Sequence, residues 1–382
     1  MEKIKLIYVG TDIVSKVVEG QVYNLLEYYM TLDVFSEIVY LQPYYNKGIL
    51  GKAEESLKKY SFRKEYFYSR AMAPQKYFTN IKNLRRLLSK EMTNSTVIHC
   101  RGCYAAPLIR KALPTEYKDN YILSDFRGLV IPEIKVSHKG RLIDCMLVYG
   151  VKIPYVKHVL NQIYRDNNTF ITAVSPYFKQ VLMEEGAPEN KTSVHPNIVS
   201  PDFVFNMDDR KLIREKYNIP DDKVVAVISS SGGTVWQNDI ILIDRLLELG
   251  CVVFNLGKKK VEKEGVINEF LPRSEMPKYL SAADIAALWR ENIPLNNVAC
   301  PSKFGEFVTM GLPIIHNGSV MIAKDFIEKN NAGIIVKEPE DIQIDKTWFG
   351  LLERKKRAEL GHELFSVENI AQSYISHYSN RC

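Results

Sequence analysis

Cys300-Pro-Ser-Lys-Phe-Gly-Glu-Phe-Val-Thr-Met-Gly-Leu-Pro-Ile-Ile315 sets a helix, a turn and a strand next to one another. Ser302 after Pro301 reads as an N-cap, the run from Lys303 to Met310 has no proline, and Gly311 supplies a stop. The pattern predicts a short helix over 302–311. Leu312 to Ile315 then reads as a buried strand. The first amides of such a helix lack intrahelical acceptors and carry the positive end of its dipole, which suits a pyrophosphate. Lys303 adds a point charge in the first turn, and Glu306 falls on the same face one turn on. A carboxylate there can accept two hydrogen bonds from a vicinal diol, such as the hydroxyls of a ribose. The competing reading is an ordinary Lys-Glu pair on a solvated helix face.

On both sides of this stretch, apolar β-rich runs alternate with helical patterns. Strands are predicted over 3–9, 36–42, 64–68, 95–99, 120–124 and 169–174, then 223–229, 250–256, 284–289, 312–315 and 333–336. Helices are predicted near 20–32, 74–90, 103–113, 142–165 and 176–186, then 208–217, 237–249, 277–282, 302–311 and 320–330. Such alternation defines the α/β class, with parallel sheets covered on both faces. At 382 residues the chain exceeds the usual size of one domain. The two prolines of His195-Pro-Asn-Ile-Val-Ser-Pro201 suit a linker, so the predicted domains are 1–197 and 202–361.

With 46% hydrophobic and 25% charged residues, the composition is that of a globular chain. It contains no apolar run long enough for a membrane span, and Met1-Glu-Lys leads directly into a strand without a signal-peptide core. A cytoplasmic location is expected. Six cysteines are too sparse for a disulfide framework, and Cys100-Arg-Gly-Cys103 lacks the partners of a zinc site. The net charge of +6 and the lack of an RNA-binding motif argue against nucleic acid as a partner.

Ser229-Ser-Ser-Gly-Gly-Thr234 links a strand to a helix, the setting in which Ser231, Gly232 and Gly233 would form an anion nest; a plain chain reversal fits equally well. It is neither a Walker loop nor Gly-x-Gly-x-x-Gly, which weighs against ATPase and dehydrogenase readings. Gly10 and Gly20 flank a looser turn, in which Gly20 would lie under a phosphate or simply start a helix. Asp125 and Arg127, in Ser124-Asp-Phe-Arg-Gly128, follow a strand on the edge where open α/β sheets place ligands; a surface ion pair is the alternative. Arg101 ends another strand and would reach a phosphate, whereas the adjacent His99 reads as a core histidine. Between Lys47 and Lys90, ten cations face only Glu54, Glu55 and Glu65, with Tyr60, Phe62, Tyr66, Phe67, Tyr68, Tyr77 and Phe78 interleaved. That mixture suits an anionic membrane surface, or else a solvated face over an ordinary core.

Pro301-Ser-Lys-Phe-Gly-Glu306 followed by Gly311-Leu-Pro-Ile-Ile315 resembles the donor-site signature of the retaining GT-B glycosyltransferases of family 4, also called group 1. The resemblance implies two Rossmann-like domains facing each other across a cleft, with the helix from about 362 to 382 returning to the first domain. It implies transfer of a hexosyl residue from a nucleotide diphosphate sugar to a glycan or lipid-linked glycan, with retention, in bacterial surface polysaccharide or glycan assembly. No cofactor and no metal are expected, the nucleotide sugar being a substrate. Glu306 would hold the donor ribose, Lys303 and Arg290 the diphosphate together with Ser302 and the 229–234 turn, and Leu271 the base. The family carries an earlier glutamate, eight positions before the ribose one, against the donor sugar. Here that position is Val298, so Asn296, Asn297 and nearby amides would hold the hexose. Where many members have Thr-x-His-Gly, this chain has Asp125-Phe-Arg-Gly128, so Arg127 would act electrostatically rather than as a base. The same fold also serves nucleotide-sugar epimerases and hydrolases, and a non-catalytic module binding sugar nucleotide or membrane is the remaining alternative.

Overall fold

Ile4-Lys-Leu-Ile-Tyr-Val9 is apolar at nearly every position, as expected of a strand covered on both faces, and it forms β1, an interior strand of a seven-stranded sheet. The computed structural model describes residues 3–11, 18–69, 77–137, 148–229 and 239–379. The chain divides into two units, one running to His195 and resuming at Ile370, the other spanning Pro196–Asn369.

In unit 1 the strands are β1, β2 (Phe35–Tyr44), β3 (Arg63–Tyr68), β4 (Thr96–Arg101), β5 (Ile122–Phe126), β6 (Thr169–Ala173) and β7 (Thr192–Val194). They lie in the order β3-β2-β1-β4-β5-β6-β7, every pairing parallel. The helices between them are α1 (Asn24–Met30), α2 (Lys47–Leu57), α3 (Tyr77–Glu91), α4 (Ala105–Ala112), α5 (Val130–Ser137), α6 (Ile153–Arg165) and α7 (Pro176–Glu184). A π-helical turn, Glu19–Tyr23, leads into α1 and places Gly20 inside the helix rather than in the loop before it. Helices α2 and α5 have no counterpart among the sequence predictions.

Unit 2 repeats the plan with β8 (Val225–Ile228), β9 (Val252–Asn255), β10 (Val266–Asn268), β11 (Ile285–Leu288), β12 (Ile314–His316) and β13 (Gly333–Ile335), in the order β10-β9-β8-β11-β12-β13, again all parallel. Apart from the single turn Pro294–Asn297, its helices are α8 (Met207–Lys216), α9 (Ile243–Glu248), α10 (Met276–Ala282), α11 (Ser302–Thr309), α12 (Met321–Asn330) and α13 (Leu351–Phe365). The helix expected from 362 is thus the end of α13, followed after Ser366 by α14 (Val367–Ser379).

Helix α11 starts one residue earlier than the capping reading placed it. Pro301 holds the N-cap position and Ser302 is the first helical residue, so no side chain caps the first amides. At its other end Gly311 takes a left-handed φ of +69°, which closes the helix and turns the chain into β12. Arg354 donates to Met310 O at 2.9 Å and Arg357 to Gly311 O at 3.0 Å, so two arginines of α13 satisfy the carbonyls α11 leaves open. The two helices meet backbone to backbone at Gly361, where a Cβ would lie 2.6 Å from Val308 C and 2.7 Å from Thr309 N. Gly361→Ala should therefore cost about 1–3 kcal/mol by overpacking. Urea denaturation measures it, and a midpoint equal to wild type would contradict this contact.

Candidate functional site

On α11 the Lys303 and Glu306 side chains meet, Nζ to Oε2 at 2.8 Å. The pair is not on a solvated face: the Glu306 side chain is 2% exposed, against 31% for Lys303. The second carboxylate oxygen lies 3.3 Å from Arg273, which stands in the turn Arg273–Glu275 before α10 and packs its guanidinium over Phe203. Glu306 is thus a buried carboxylate between two cations from separate elements. Arg273 carries an Nε with no hydrogen bond. Half-buried Leu271 lies two residues before Arg273, so the segment read as a base-facing loop does border α11.

Two polar contacts, from His316 and Asn317, tie the carboxyl ends of β11 and β12 together, and Asp239 and Val320 add to the network. His316 bridges Leu288 O (2.6 Å) and the Val320 main chain, and burial depresses its pKa, so its ring is neutral. Asn317 donates to Arg290 O at 2.6 Å. Asp239 accepts the Trp289 amide at 2.6 Å, and burial pushes its pKa up to about 6 despite that bond and the Arg290 charge. Arg290 has a buried Nε with no hydrogen bond among the described residues, and its pKa is lowered by burial against the pull of Asp239. Asn297 directs its amide nitrogen to Ser319 O and Asn292 Oδ1, both at 2.8 Å, which leaves only its side-chain oxygen for a sugar. Val298, where the earlier glutamate would stand, is buried. Ser231, Gly232 and Gly233 lie outside the described residues.

In unit 1 the expected pair is largely buried, Asp125 completely and Arg127 to 16% exposure. Asp125 is fully buried and pairs with Arg127 at 2.6 Å while accepting from Thr172 Oγ1 at 2.7 Å. Burial alone would raise its pKa, but Arg127, His99 and Arg101 together hold it well below the usual carboxylate range. Asp125 therefore positions Arg127 and offers no open acceptor contact, and the surface-pair reading fails with it. His99 donates or accepts at Tyr378 of α14 (2.7 Å), as befits a core histidine. His195 stacks on Tyr374 at 4.1 Å, and burial lowers its pKa to about 3. Arg101 is buried, gives Nη2 to Gln21 at 2.6 Å and keeps Nη1 without a hydrogen bond, so Arg101 and the turn holding Gly20 do come together.

The basic and aromatic segment 47–90 separates into two parts. Phe62 and Phe67 are core residues, and Tyr60 stacks on Phe62, so these rings do not form a surface. Arg63 is engaged by Glu91 and Glu37, and Lys59 by Glu19. Lys82, Arg85, Arg86 and Lys90 remain as an exposed cationic face of α3. Cys100 and Cys103 are buried and free, and burial raises the Cys103 thiol to about 12, the reverse of a reactive pair. Among the described residues no group of three or more His, Cys, Asp or Glu could hold a metal, and no helix is long and apolar enough to cross a membrane.

Solved structures share this fold along nearly the whole chain. A glycosyltransferase from Rickettsia africae superposes with a TM-score of 0.69 at 16% identity, covering 100% of this chain and 99% of that one. HepE of Anabaena, in complex with UDP-glucose, gives 0.69 at 13% identity, with 99% and 100% covered. The UDP-GlcNAc 2-epimerase of Neisseria meningitidis, bound to UDP-GlcNAc, gives 0.57 at 12% identity, also over 99% and 100%. No protein-family model and no curated protein matches the chain. At such identities the likeness establishes the fold, and the fold is α/β of the GT-B class, as expected.

Asp239 gives this site a pH signature. Its folded pKa of about 6 lies above the ordinary 3.8, so the folded state binds this proton more tightly than the unfolded chain does. The buried charge then destabilises above pH 6, and that penalty fades as pH falls from 6 towards 3.8. Asp239→Asn, which keeps an oxygen for the Trp289 amide, should be about 1–3 kcal/mol more stable than wild type at pH 8 and equal to it near pH 3.8. Denaturation curves across that range measure the difference, and a gap independent of pH would refute the assignment.

Proposed function

We propose that this chain is a retaining glycosyltransferase that moves a hexosyl residue from a nucleotide diphosphate sugar to a glycan or lipid-linked glycan. The observation that carries the reading is the α11 turn: uncapped amides and Lys303 beside a buried Glu306, on a fold shared with a protein solved with UDP-glucose. Glu306 accepts the ribose hydroxyls, exchanging Arg273 or Lys303 for the diol. Lys303, Arg290 and the first amides of α11 stabilise the charge that develops on the leaving diphosphate. As the bond from the anomeric carbon to the diphosphate oxygen breaks, the acceptor oxygen bonds to that carbon on the same face. Its proton passes to the departing phosphate.

In this reading Arg127, held by Asp125, orients a phosphate or the acceptor as a permanent cation, and the orphaned Nη1 of Arg101 takes an anionic group near Gly20. The reaction needs no metal. The protein works in the cytoplasm on bacterial surface polysaccharide or a related glycan. The cationic face of α3 meets anionic lipid at the inner leaflet, close to a lipid-linked acceptor.

A second reading, nucleotide-sugar epimerisation or hydrolysis, has the shared fold of the Neisseria meningitidis epimerase in its favour. Radiolabelled nucleotide sugars decide between them. Label moving to an acceptor supports transfer, whereas conversion of the donor without acceptor supports the second. In either assay Glu306→Ala should lower kcat/KM by about a hundredfold, the loss of two charge-assisted hydrogen bonds. Unchanged turnover would remove Glu306 from the site.

A further inference from the structure

At the end of α11 opposite Lys303, about 12 Å away at 1.5 Å per residue, unit 2 holds a cavity of about 330 Å³. Arg210, Lys211 and Arg214 of α8 and Arg354 and Arg357 of α13 line it, against only Asp221 and Asp284. Asp284 stands just before β11, whereas Arg290 follows that strand, so the cavity and the Lys303–Glu306 site occupy opposite edges of one sheet.

The charges in this cavity do not balance. Arg210 and Arg214 both pair with the same carboxylate, Asp284, at 2.7 and 2.6 Å. Arg354 and Arg357 are 7% and 5% exposed and donate only to main-chain carbonyls, while exposed Lys211 makes no ion pair among the described residues. Burial, reinforced by Arg210, Arg357 and Arg214, pulls the Arg354 pKa down to about 9. The carbonyls fix these guanidinium groups in place without supplying a full counter-charge. Arg357 keeps Nη1 without a hydrogen bond among the described residues. Buried cations in excess of carboxylates are costly unless an anion joins them. Apolar residues complete the lining: Trp348 and Phe349, which belong to the core of unit 2, and Leu351, which is 58% exposed.

We propose that this cavity is a second anion site, which takes the phosphate or diphosphate group of an organic phosphate whose apolar body lies along Trp348, Phe349 and Leu351. The phosphate belongs either to a soluble ester or to a lipid headgroup at a membrane surface. Cations fixed beforehand by carbonyls bind it with little reorganisation. Its place on the sheet edge away from Lys303 makes it independent of the donor reading.

Two arms test it, both in a Lys303→Ala background so that pyrophosphate held at α11 does not register. Calorimetric titration with inorganic pyrophosphate should show binding that Lys211→Glu weakens about five- to tenfold. Cosedimentation with phosphatidic acid vesicles, set against phosphatidylcholine vesicles, reads the lipid source. Pyrophosphate binding alone, weakened to that extent in Lys211→Glu, assigns a soluble phosphate. Vesicle binding lost in the same variant assigns a lipid headgroup. Lys211 is exposed and makes no ion pair among the described residues, so the variant should keep the wild-type melting temperature. Binding that ignores Lys211→Glu in both arms, or no binding in either, overturns the proposal.

Discussion

Two arginines of one helix hold the end of another, and much of unit 2 depends on that grip. Arg354 and Arg357 reach from α13 to Met310 O and Gly311 O, satisfying carbonyls that α11 leaves open as it turns into β12. Arg354 also donates to Leu280 O and Ala283 O at 2.8 Å, so the same side chain closes the end of α10. Helices α10 and α11 carry, or directly follow, the residues that meet at Glu306. The arrangement explains why two arginines are buried without carboxylate partners: helix carbonyls, with the negative ends of their dipoles, stand in for them in part.

Helix α11 consequently works at both ends. Its first turn presents uncapped amides and Lys303 beside a carboxylate that burial keeps from wandering, and its last turn is anchored by cations that gather round a cavity. Under the proposed function such rigidity matters, because preorganised donors stabilise developing charge without rearranging. Unit 1 follows another rule. There the polar groups at the strand ends, Asp125, His99 and His195, are sealed under Tyr374 and Tyr378 of α14, and Arg127 and Arg101 are the cations they leave oriented.

The sheet strands were legible in the chain because covered strands read as apolar runs, and α11 was legible through its proline, its glycine and the spacing of Lys303 and Glu306. The short edge strands β7 and β10 escaped, since three residues without an apolar run carry no periodic signal. Arg273 could not be found beside Glu306, because the contact joins residues 33 positions apart and depends on how α10 packs. Asp125 and Arg127 were found as a pair, yet their burial came from α14, far along the chain. The aromatic residues among the cations of 47–90 suggested a surface until Phe62 proved to be a core residue with half-buried Tyr60 stacked on it. Sequence pattern reports composition along an element; which face a distant element covers is a tertiary fact.

The most direct measurement is a crystal structure of the protein with the nucleoside diphosphate that most raises its melting temperature. The account predicts ribose hydroxyls within hydrogen-bond distance of the Glu306 carboxylate, with the diphosphate at Lys303 and the first turn of α11. A nucleotide bound elsewhere, with Glu306 still held between Lys303 and Arg273, would contradict it.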